Sequence, residues 1–309
     1  MRRTIRMVRE HRIDIVYTNS IVTLSGALAA AVCRVPHVWH IRELLKGHPL
    51  KSPLPLPITF GLVGALSTKV ITVSNAVAAQ FSQRIMRQRV RVIYNGIDPA
   101  PFMSEQPIHR LRGELSLPSH TKLVGIIGSV QEHKNQAGVI RAFQTVSQRW
   151  DDSRLIIAGR QEPQYRKNLD ELTSSLGLNG KVFFLGFRSD IPALMSELDV
   201  VVMASDAEPF GRITIEAMAA AKPVVAVNSG ASGEIVVPGQ TGYLVSMNNT
   251  GEMASAITDL LSDPEKASRM GQAGRKRVDE KFHIRRVAQE VQEVLQSVIQ
   301  PKSKSPIVK

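Results

Sequence analysis

The segment Glu208-Pro-Phe-Gly-Arg-Ile-Thr-Ile-Glu216 holds two carboxylates with seven residues between them. The apolar run 198–204 before it predicts a buried strand, and the residues after Gly211 have helical composition. Glu208 is therefore expected on a strand-to-helix loop and Glu216 in the first turns of the helix. The unpaired N–H groups of a helix start carry partial positive charge and favour a phosphate or diphosphate. Two carboxylates beside such an anion site suit the hydroxyl groups of a phosphorylated sugar.

This pair alone also fits an ordinary helix start, where acidic side chains are favourable. Further motifs, in chain order, favour the chemical interpretation. They are Asn95-Gly-Ile-Asp98, Gly128-Ser-Val-Gln-Glu-His-Lys134-Asn, Lys181-Val-Phe-Phe-Leu-Gly186-Phe, Lys222-Pro-Val-Val-Ala and Gly233-Glu-Ile-Val with Gly239-Gln-Thr-Gly-Tyr-Leu-Val245. Together with the glutamate pair they resemble the retaining GT-B glycosyltransferases of family 4, or group 1, which transfer sugars from nucleotide diphosphates. The resemblance covers nearly the whole chain from about Asp14 onward.

The resemblance implies an α/β fold of the GT-B type, with two facing Rossmann-like domains. It assigns residues 1–103 to an acceptor-side domain, 104–284 to a nucleotide-sugar donor domain, and 285–309 to a tail and a helix that crosses back to the first domain. The strand and Gly-rich loop that usually open the family do not precede the predicted strand at Ile13–Tyr17. The first domain is therefore expected to be incomplete at its N-terminus, and this strand to form an unpaired apolar edge. A fragment, a mis-called start, half of a split protein and a degenerate family member all fit this pattern.

Short apolar runs alternate with helical stretches, which predicts parallel sheets covered by helices. Strands are expected at residues 13–18, 36–41, 69–74, 90–94, 123–128, 154–158, 182–185, 200–204, 224–228 and 242–245. Helices are expected at the start of the chain and at residues 27–32, 76–86, 136–148, 165–176, 212–221, 251–261, 264–280 and 285–299. Prolines cannot continue a helix, so residues 47–57 are expected to form a loop over the cleft. The tail 301–309 is expected to be disordered.

The resemblance also implies which side chains carry the chemistry. Lys134 is expected to stabilise negative charge on the departing diphosphate, Glu208 to contact hydroxyls of the transferred sugar, and Glu216 to accept hydrogen bonds from the ribose. The backbone N–H groups of residues 211–214 are expected to face the diphosphate. The ordinary explanations are a solvated lysine, a loop carboxylate and a helix-surface carboxylate. The further expected donor-binding residues are Gly128, Ser129, Arg160, Gly186, Phe187, Phe210, Gly211, Arg212, Ile213 and Thr214.

Two positions need separate treatment. An arginine usually follows the first glycine of the Gly128 loop in this family, and here that position is Ser129. One cationic phosphate contact is therefore absent or is supplied elsewhere, with Arg160 and Arg212 as the candidates. In the first domain, His40 comes directly after the strand-forming residues Pro36–Trp39 and is expected on the loop that faces the cleft. It resembles the cleft histidine that contacts the donor sugar or the acceptor, which makes it the third expected catalytic residue. The alternative is a satisfied structural histidine.

The composition limits the partners of this 309-residue chain. A formal charge of +12 predicts anionic ligands, and the resemblance specifies a nucleotide sugar and a glycan or lipid-linked acceptor. Nucleic acid is not expected, because aromatic residues are only 5% and no zinc-finger, RRM or helix-turn-helix spacing occurs. The single cysteine, Cys33, excludes an internal disulfide and suits a reducing cytosol. The expected location is the cytoplasm, and peripheral contact with the anionic inner membrane face is compatible with the charge.

No metal ion or cofactor is expected beyond the nucleotide-diphosphate sugar that serves as donor substrate. An Asp-x-Asp pair, which a metal-dependent sugar transferase would need, is absent from the sequence. Walker A, Gly-x-Ser-x-Gly and His-Glu-x-x-His motifs are also absent. An unrelated Rossmann oxidoreductase is excluded because no Gly-x-Gly-x-x-Gly follows a first strand.

Two functional hypotheses remain. The first is a retaining hexosyltransferase that acts on a glycan or lipid-linked acceptor in cell-envelope or exopolysaccharide synthesis, and Lys134, Glu208 and Glu216 favour it. The second is a non-catalytic nucleotide-sugar-binding protein, or a fragment or subunit of a split glycosyltransferase. Ser129 and the missing N-terminal elements favour the second.

Overall fold

The computed structural model of the chain describes residues 1–45, 52, 54–81, 89–103 and 110–299. The chain forms two compact units: residues 1–94 with the chain from Arg286 onward make unit 1, and residues 95–285 make unit 2. The boundary predicted after residue 103 adjoins residues 104–109, which lie outside the described part. The Ile97 N–H donates to the Phe282 carbonyl and the Ile284 N–H donates to the Ile97 carbonyl, both at 2.9 Å. These bonds explain why unit 2 begins before that predicted boundary.

Unit 1 contains a four-stranded parallel sheet in the order β1-β2-β3-β4. The strands are β1 Val16–Asn19, β2 His37–Ile41, β3 Lys69–Thr72 and β4 Val90–Val92. The described helices of this part of the chain are Arg2–Glu10, Ser25–Cys33, Leu56–Leu66, Asn75–Ala78 and the C-terminal helix Ile284–Val298.

The C-terminal helix supplies part of the unit 1 core. Its residues Val294 and Val298 are buried and pack with Val38, Ile71 and Ile93 from the sheet. These positions recur at helical spacing in the sequence, so one apolar stripe of the helix faces the sheet.

Strand β1 lies at one edge of the described sheet and pairs with β2. Ile13, which precedes this strand, is 39% exposed, and Tyr17, which lies within it, is 38% exposed. Both side chains belong to the apolar run that the sequence predicts as an edge. An unpaired edge of this kind is a surface that proteins normally cover or charge.

Unit 2 contains a six-stranded parallel sheet in the order β10-β9-β8-β5-β6-β7. The strands are β5 Lys122–Ile127, β6 Ser153–Ala158, β7 Val182–Gly186, β8 Val200–Met203, β9 Val224–Val227 and β10 Gly242–Val245. The described α-helices are Arg110–Glu114, Gln136–Arg149, Pro163–Ser175, Ile191–Glu197, Arg212–Ala219, Ser232–Ile235, Thr250–Ser262 and Pro264–Lys281. Every residue of β8 and β9 is buried, which is why both strands are continuous apolar runs in the sequence.

Two helices that begin with a proline depart from the sequence prediction. The helix Leu56–Leu66 starts inside the stretch predicted as a loop at residues 47–57, and Ile191–Glu197 was not predicted. Each carries its proline in the first turn, where the missing N–H costs nothing because that group has no partner in the helix. Residues 47–51 and 53 of the predicted loop, residues 82–86 of the predicted helix 76–86, and the predicted disordered tail lie outside the described residues.

A buried ion pair joins the start of unit 2 to its sheet. Arg112 and Glu197 are 9% and 3% exposed. The Glu197 carboxylate accepts hydrogen bonds from the Leu111 N–H at 2.6 Å and the Arg112 N–H at 3.1 Å, and Arg112 Nη1 lies 3.4 Å from Glu197 Oε2. Arg112 Nη2 also donates to the Thr121 carbonyl at 3.0 Å. The pair therefore fixes helix Arg110–Glu114 against the amino end of the sheet.

Glu197→Ala should lower the free energy of unfolding by about 3–5 kcal/mol, because it removes the buried carboxylate that pairs with Arg112 and leaves two buried N–H groups without their acceptor. Urea denaturation followed by far-UV circular dichroism measures the loss. The matched control is Glu171→Ala, whose side chain is 68% exposed and pairs with Lys167 at 4.0 Å. A loss below about 1 kcal/mol, equal to that of the control, would contradict a structural role for the pair.

Candidate functional site

The carboxyl ends of four adjacent strands of unit 2 bring the predicted site residues together. Glu208 follows β8, Lys134 follows β5, Arg160 follows β6, and Gly186 ends β7. The sheet order places β8, β5, β6 and β7 side by side. Because the carboxyl ends of parallel strands meet at one edge, and such edges bind ligands, the loops define one candidate site.

Backbone hydrogen bonds connect the ends of these strands. The Gly128 N–H donates to the Ala158 carbonyl at 2.8 Å, and the Gly159 N–H donates to the Gly186 carbonyl at 2.7 Å. The ends of β5, β6 and β7 are therefore held in sequence, which fixes the loops that carry Ser129, Arg160 and Phe187.

Lys134 and Glu208 meet in an ion pair. Lys134 Nζ donates to Glu208 Oε2 at 2.9 Å, and the two side chains are 25% and 12% exposed. The Asp206 N–H donates to the His133 carbonyl at 2.9 Å, so the backbones of the two loops are also joined. The structure thus brings together the two predicted catalytic residues of unit 2.

The loop that follows β9 braces Glu208 from behind. The Ala231 N–H donates to the Glu208 carbonyl at 2.9 Å. Gly230 has φ +54°, and a Cβ atom there would lie 2.1 Å from that carbonyl oxygen. Only glycine fits this close approach. The backbone of Glu208 is therefore held independently of the ion pair.

Glu216 lies in the helix Arg212–Ala219, as the sequence predicts, and is 4% exposed. Arg212 Nε donates to Glu216 Oε1 at 2.8 Å, although the Arg212 side chain is 73% exposed. Gly211 precedes the helix with φ +94°. The Thr214 N–H donates to the Gly211 carbonyl at 3.0 Å. This corrects the expectation that all four N–H groups of residues 211–214 face a ligand, because the first turn of the helix uses that of Thr214.

A cavity of about 200 Å³ lies between these loops. Predicted site residues that line it are Gly128, Lys134, Glu208, Arg212 and Ile213. Other lining residues that the sequence analysis missed are Ile126, Ile127, Gln136, Met203, Ala204 and Ser205. Several of these lie at the ends of β5 and β8 or at the start of the helix that follows β5. The predicted ends of the strands were therefore the feature of the sequence that could have identified them. The lining combines apolar strand ends with two cations and one carboxylate.

The two predicted aromatic residues have different environments. Phe210 is 3% exposed, and its ring packs edge-on against Phe282 with centroids 5.8 Å apart. The ring therefore supports the loop from the core side, and the expected contact of Phe210 with the donor stays a prediction. Phe187 is 66% exposed, and the Arg160 guanidinium lies 5.3 Å from its ring centroid. An exposed ring and a cation at the ends of β6 and β7 form a surface suited to a planar, electron-rich group.

Ser129 makes hydrogen bonds with two glutamines of its own loop and the following helix. Its hydroxyl donates to Gln131 Oε1 at 3.2 Å, and its carbonyl accepts from Gln136 Nε2 at 2.9 Å. The position that usually holds an arginine in the resembling family therefore carries no charge here.

His40 lies in unit 1, within β2, and is 2% exposed. The strand continues to Ile41, which corrects the expectation that His40 follows the strand on a loop. Tyr17 Oη shares a hydrogen bond with His40 Nδ1, whereas His40 Nε2 has no hydrogen-bond partner among the described residues. Burial, with a smaller effect from the charge of Arg42, lowers the pKa of His40 to about 4. His40 is therefore a neutral imidazole at pH 7.

Acidification should destabilise unit 1 through His37 and His40. Burial is the main cause that lowers both pKa values to about 4, from 6.5 for a free histidine. Between these values the unfolded chain binds protons that the folded chain does not, so the free energy of unfolding should fall as the pH drops from about 6.5 to about 4. Trp39, which is fully buried beside both histidines, reports unfolding by fluorescence in a Trp150→Phe background. In His40→Gln the free energy of unfolding should depend less on pH, whereas in the control His11→Gln, at an exposed position, it should depend on pH as in the parent protein. An equal dependence on pH in both variants would contradict a role for His40 in the acid destabilisation.

No group of three or more His, Cys, Asp or Glu side chains in the described residues is placed to hold a metal ion. The described helices also include none with both the length and the apolar composition needed to cross a bilayer.

The family profile described as Glycosyl transferases group 1 matches residues 108–277, more than half of the chain. The chain belongs to this family. A second profile, Glycosyltransferase Family 4, matches residues 1–101. The expected family and fold class are therefore confirmed: this group 1 glycosyltransferase chain has two parallel α/β sheets of the Rossmann-like kind found in GT-B proteins.

Individual relatives agree with the family assignment. An uncharacterised glycosyltransferase of Methanocaldococcus jannaschii is 31% identical over 81% of this chain and 66% of its own length. The N-acetyl-alpha-D-glucosaminyl L-malate synthase of Bacillus anthracis is 26% identical over 68% of this chain and 54% of its own length. This group 1 chain thus spans between about half and two thirds of these two relatives.

Among solved structures, Anabaena HepE in complex with UDP is similar to this chain with a TM-score of 0.87 and 29% identity. The alignment covers 96% of this chain and 81% of HepE. HepE in complex with UDP-glucose gives a TM-score of 0.86 at the same identity.

Proposed function

We propose that this chain is a hexosyltransferase that uses a nucleotide-diphosphate sugar as donor and a glycan or lipid-linked molecule as acceptor. The observation that carries the proposal is the meeting of Lys134 with Glu208, next to the helix that carries Glu216, at the carboxyl edge of the unit 2 sheet. Cations and a helix start suit a diphosphate, whereas carboxylates suit sugar hydroxyls. The 29% identical relative HepE forms complexes with UDP and UDP-glucose, which supports a nucleotide-sugar ligand.

The proposed reaction proceeds with retention of configuration and without a metal ion. The bond between the sugar anomeric carbon and the diphosphate oxygen breaks, and a bond from that carbon to the acceptor hydroxyl oxygen forms on the same face. The acceptor proton passes to the departing diphosphate. Lys134 stabilises the charge that develops on the diphosphate, which is the main catalytic contribution expected of a preorganised cation.

Donor binding on this proposal rearranges two ion pairs. Lys134 exchanges Glu208 for a diphosphate oxygen, and Glu208 then accepts from a hydroxyl of the transferred sugar. Arg212, whose side chain is 73% exposed, has the freedom to turn toward the diphosphate and to leave Glu216 for the ribose hydroxyls. The pairs therefore hold the two carboxylates in place before the donor arrives.

A second candidate function is nucleotide-sugar binding without transfer. Ser129 favours it, because an uncharged hydroxyl replaces the usual arginine beside the diphosphate site. A binding protein needs affinity for the donor, whereas a transferase also needs charge stabilisation in the transition state. The two candidates differ in whether the nucleotide diphosphate is released.

The proposed location is the cytoplasm, with peripheral attraction to an anionic membrane surface. The formal charge of +12 supports this, because basic proteins are drawn to anionic lipids. A lipid-linked acceptor would lie at the same surface.

Thermal melting with UDP-, GDP- and ADP-glucose tests the proposal. One of the three should raise the melting temperature selectively, and incubation with that donor and a panel of lipid and oligosaccharide acceptors should release its nucleotide diphosphate. A selective shift without release would favour the binding protein. No shift with any of the three sugars would contradict donor binding altogether.

A further inference from the structure

Gln136 is a buried glutamine with one unused hydrogen-bonding atom in the candidate site. It is the first residue of the helix Gln136–Arg149, is 1% exposed, and lines the cavity with Lys134 and Glu208. Its Nε2 donates to the Ser129 carbonyl at 2.9 Å. Its Oε1 is buried and has no hydrogen-bond partner among the described residues.

The chemistry of the Ser129 carbonyl fixes the orientation of this amide. A carbonyl oxygen only accepts hydrogen bonds, so the nitrogen of the Gln136 amide must face it. The reversed amide would place two acceptors against each other. Gln136 Oε1 is therefore the free end of the amide.

The remaining partner of Oε1 must be a hydrogen-bond donor. Lys134 Nζ, the neighbouring cation in the cavity, donates to Glu208 at 2.9 Å and makes no hydrogen bond to Gln136 Oε1. A phosphate oxygen cannot serve, because it carries negative charge and only accepts at neutral pH. A hydroxyl group can serve, since it donates one hydrogen bond. Buried acceptors without a donor are rare in folded proteins, and such groups often mark a ligand position.

We propose that Gln136 is a donor-binding residue whose Oε1 accepts a hydrogen bond from a hydroxyl group of the bound nucleotide sugar. This inference rests on the proposed function. It adds a contact that favours ligands with a hydroxyl group at this position over ligands without one. The hydroxyl belongs either to the transferred sugar or to the ribose. Gln136 thus has two roles. Its amide nitrogen holds the Ser129 loop in place, and its amide oxygen accepts a hydrogen bond from the ligand hydroxyl.

Isothermal titration of UDP-glucose, UDP and inorganic pyrophosphate to the wild type and to Gln136→Leu tests the inference. Pyrophosphate has no carbon-bound hydroxyl, so its affinity should stay within about twofold, while the Kd of UDP-glucose should rise about tenfold or more. An equal rise for UDP places the hydroxyl on the ribose, and an unchanged UDP affinity places it on the transferred sugar. The matched control is Gln148→Leu, an exposed glutamine of the same helix, which should leave the affinity for all three ligands unchanged.

A second variant restores the hydrogen-bonding capacity that leucine removes. Gln136→His, as a neutral imidazole, has one N–H for the Ser129 carbonyl and one acceptor nitrogen for the ligand, so it should bind UDP-glucose more tightly than Gln136→Leu. Pyrophosphate affinity that falls as far as UDP-glucose affinity in Gln136→Leu, or equal UDP-glucose affinities in the two variants, would reduce Gln136 to a loop brace and overturn the inference. A wild type that binds UDP-glucose while Gln136→Leu binds it equally well would overturn the inference alone. A wild type that binds none of UDP-, GDP- and ADP-glucose would overturn the proposed function as well.

Discussion

Glu216→Gln should raise the Kd of the donor sugar identified by thermal melting by about 10- to 100-fold. Hydrogen bonds to a charged group contribute about 1.5–3 kcal/mol, and each 1.4 kcal/mol changes an affinity tenfold. Glu216 is 4% exposed, so its carboxylate has little access to water that could replace ligand hydroxyls. Glutamine keeps the shape of the side chain and one acceptor but removes the charge. Isothermal titration measures the change.

The stability of the Glu216→Gln variant should change little, because its partner Arg212 has a side chain that is 73% exposed and is hydrated without the pair. This separates a binding effect from a folding effect. Glu171→Gln, at a side chain that is 68% exposed, is the control and should bind the donor as the wild type does. An unchanged Kd in Glu216→Gln would mean that this carboxylate only pairs with Arg212 on the helix.

The strands could be predicted from the sequence to within three residues at each end. Parallel strands buried on both faces must be continuous apolar runs, and β8 and β9 are buried along their whole length. The turn that follows each strand is polar or glycine-containing, so the carboxyl edge of the unit 2 sheet could be located as well. This edge holds the candidate site, which explains why the loop positions of Lys134 and Glu208 were predictable.

Short helices that open with proline could not be predicted by the same reasoning. Proline ends helices in their interior but is favourable in the first turn, and composition alone does not tell the two positions apart. The helix Leu56–Leu66 has an apolar sequence on all sides, so it also lacks the alternation that marks a surface helix.

Contacts between distant parts of the chain account for the rest. Lys134 and Glu208 are 74 residues apart, and their ion pair follows from the order in which β5 and β8 lie in the sheet. The burial of Phe210 depends on Phe282, which follows the last helix of unit 2. The unused oxygen of Gln136 depends on the course of the Ser129 loop. Motif spacing identifies which loops meet but not which atoms pair within them.

The two ion pairs and the unused amide oxygen together describe a site whose electrostatics are balanced without a ligand. Lys134 pairs with the carboxylate of Glu208, and Arg212 pairs with that of Glu216. A diphosphate that enters brings negative charge and competes with the carboxylates for the cations. A sugar that enters with it brings hydroxyls, which replace the cations as partners of the carboxylates. On the proposed function, donor binding therefore exchanges the partners of the two ion pairs and leaves little charge unpaired.

Lys134→Met should lower the turnover of the donor by about 10²- to 10³-fold, which is the usual cost of removing one preorganised group that stabilises developing negative charge. The effect should fall mainly on kcat, because the charge on the diphosphate oxygen grows as the bond to the sugar breaks. Methionine keeps the length of the apolar stem and removes the ammonium. Release of the nucleotide diphosphate in single-turnover experiments measures the rate, and Lys167→Met, at a side chain that is 71% exposed, is the control.

Part of that loss could come from Glu208, which would remain at 12% side-chain exposure without its cation. A double-mutant cycle with Glu208→Gln separates the contributions. If Lys134 acts on the leaving diphosphate, the rate should stay low when Glu208 is also neutralised, because the missing charge is not restored. If the only function of Lys134 is to pair with Glu208, the double variant should recover to the rate of Glu208→Gln alone. Recovery of that kind would remove Lys134 from the reaction and leave the ion pair as a structural feature of the two loops.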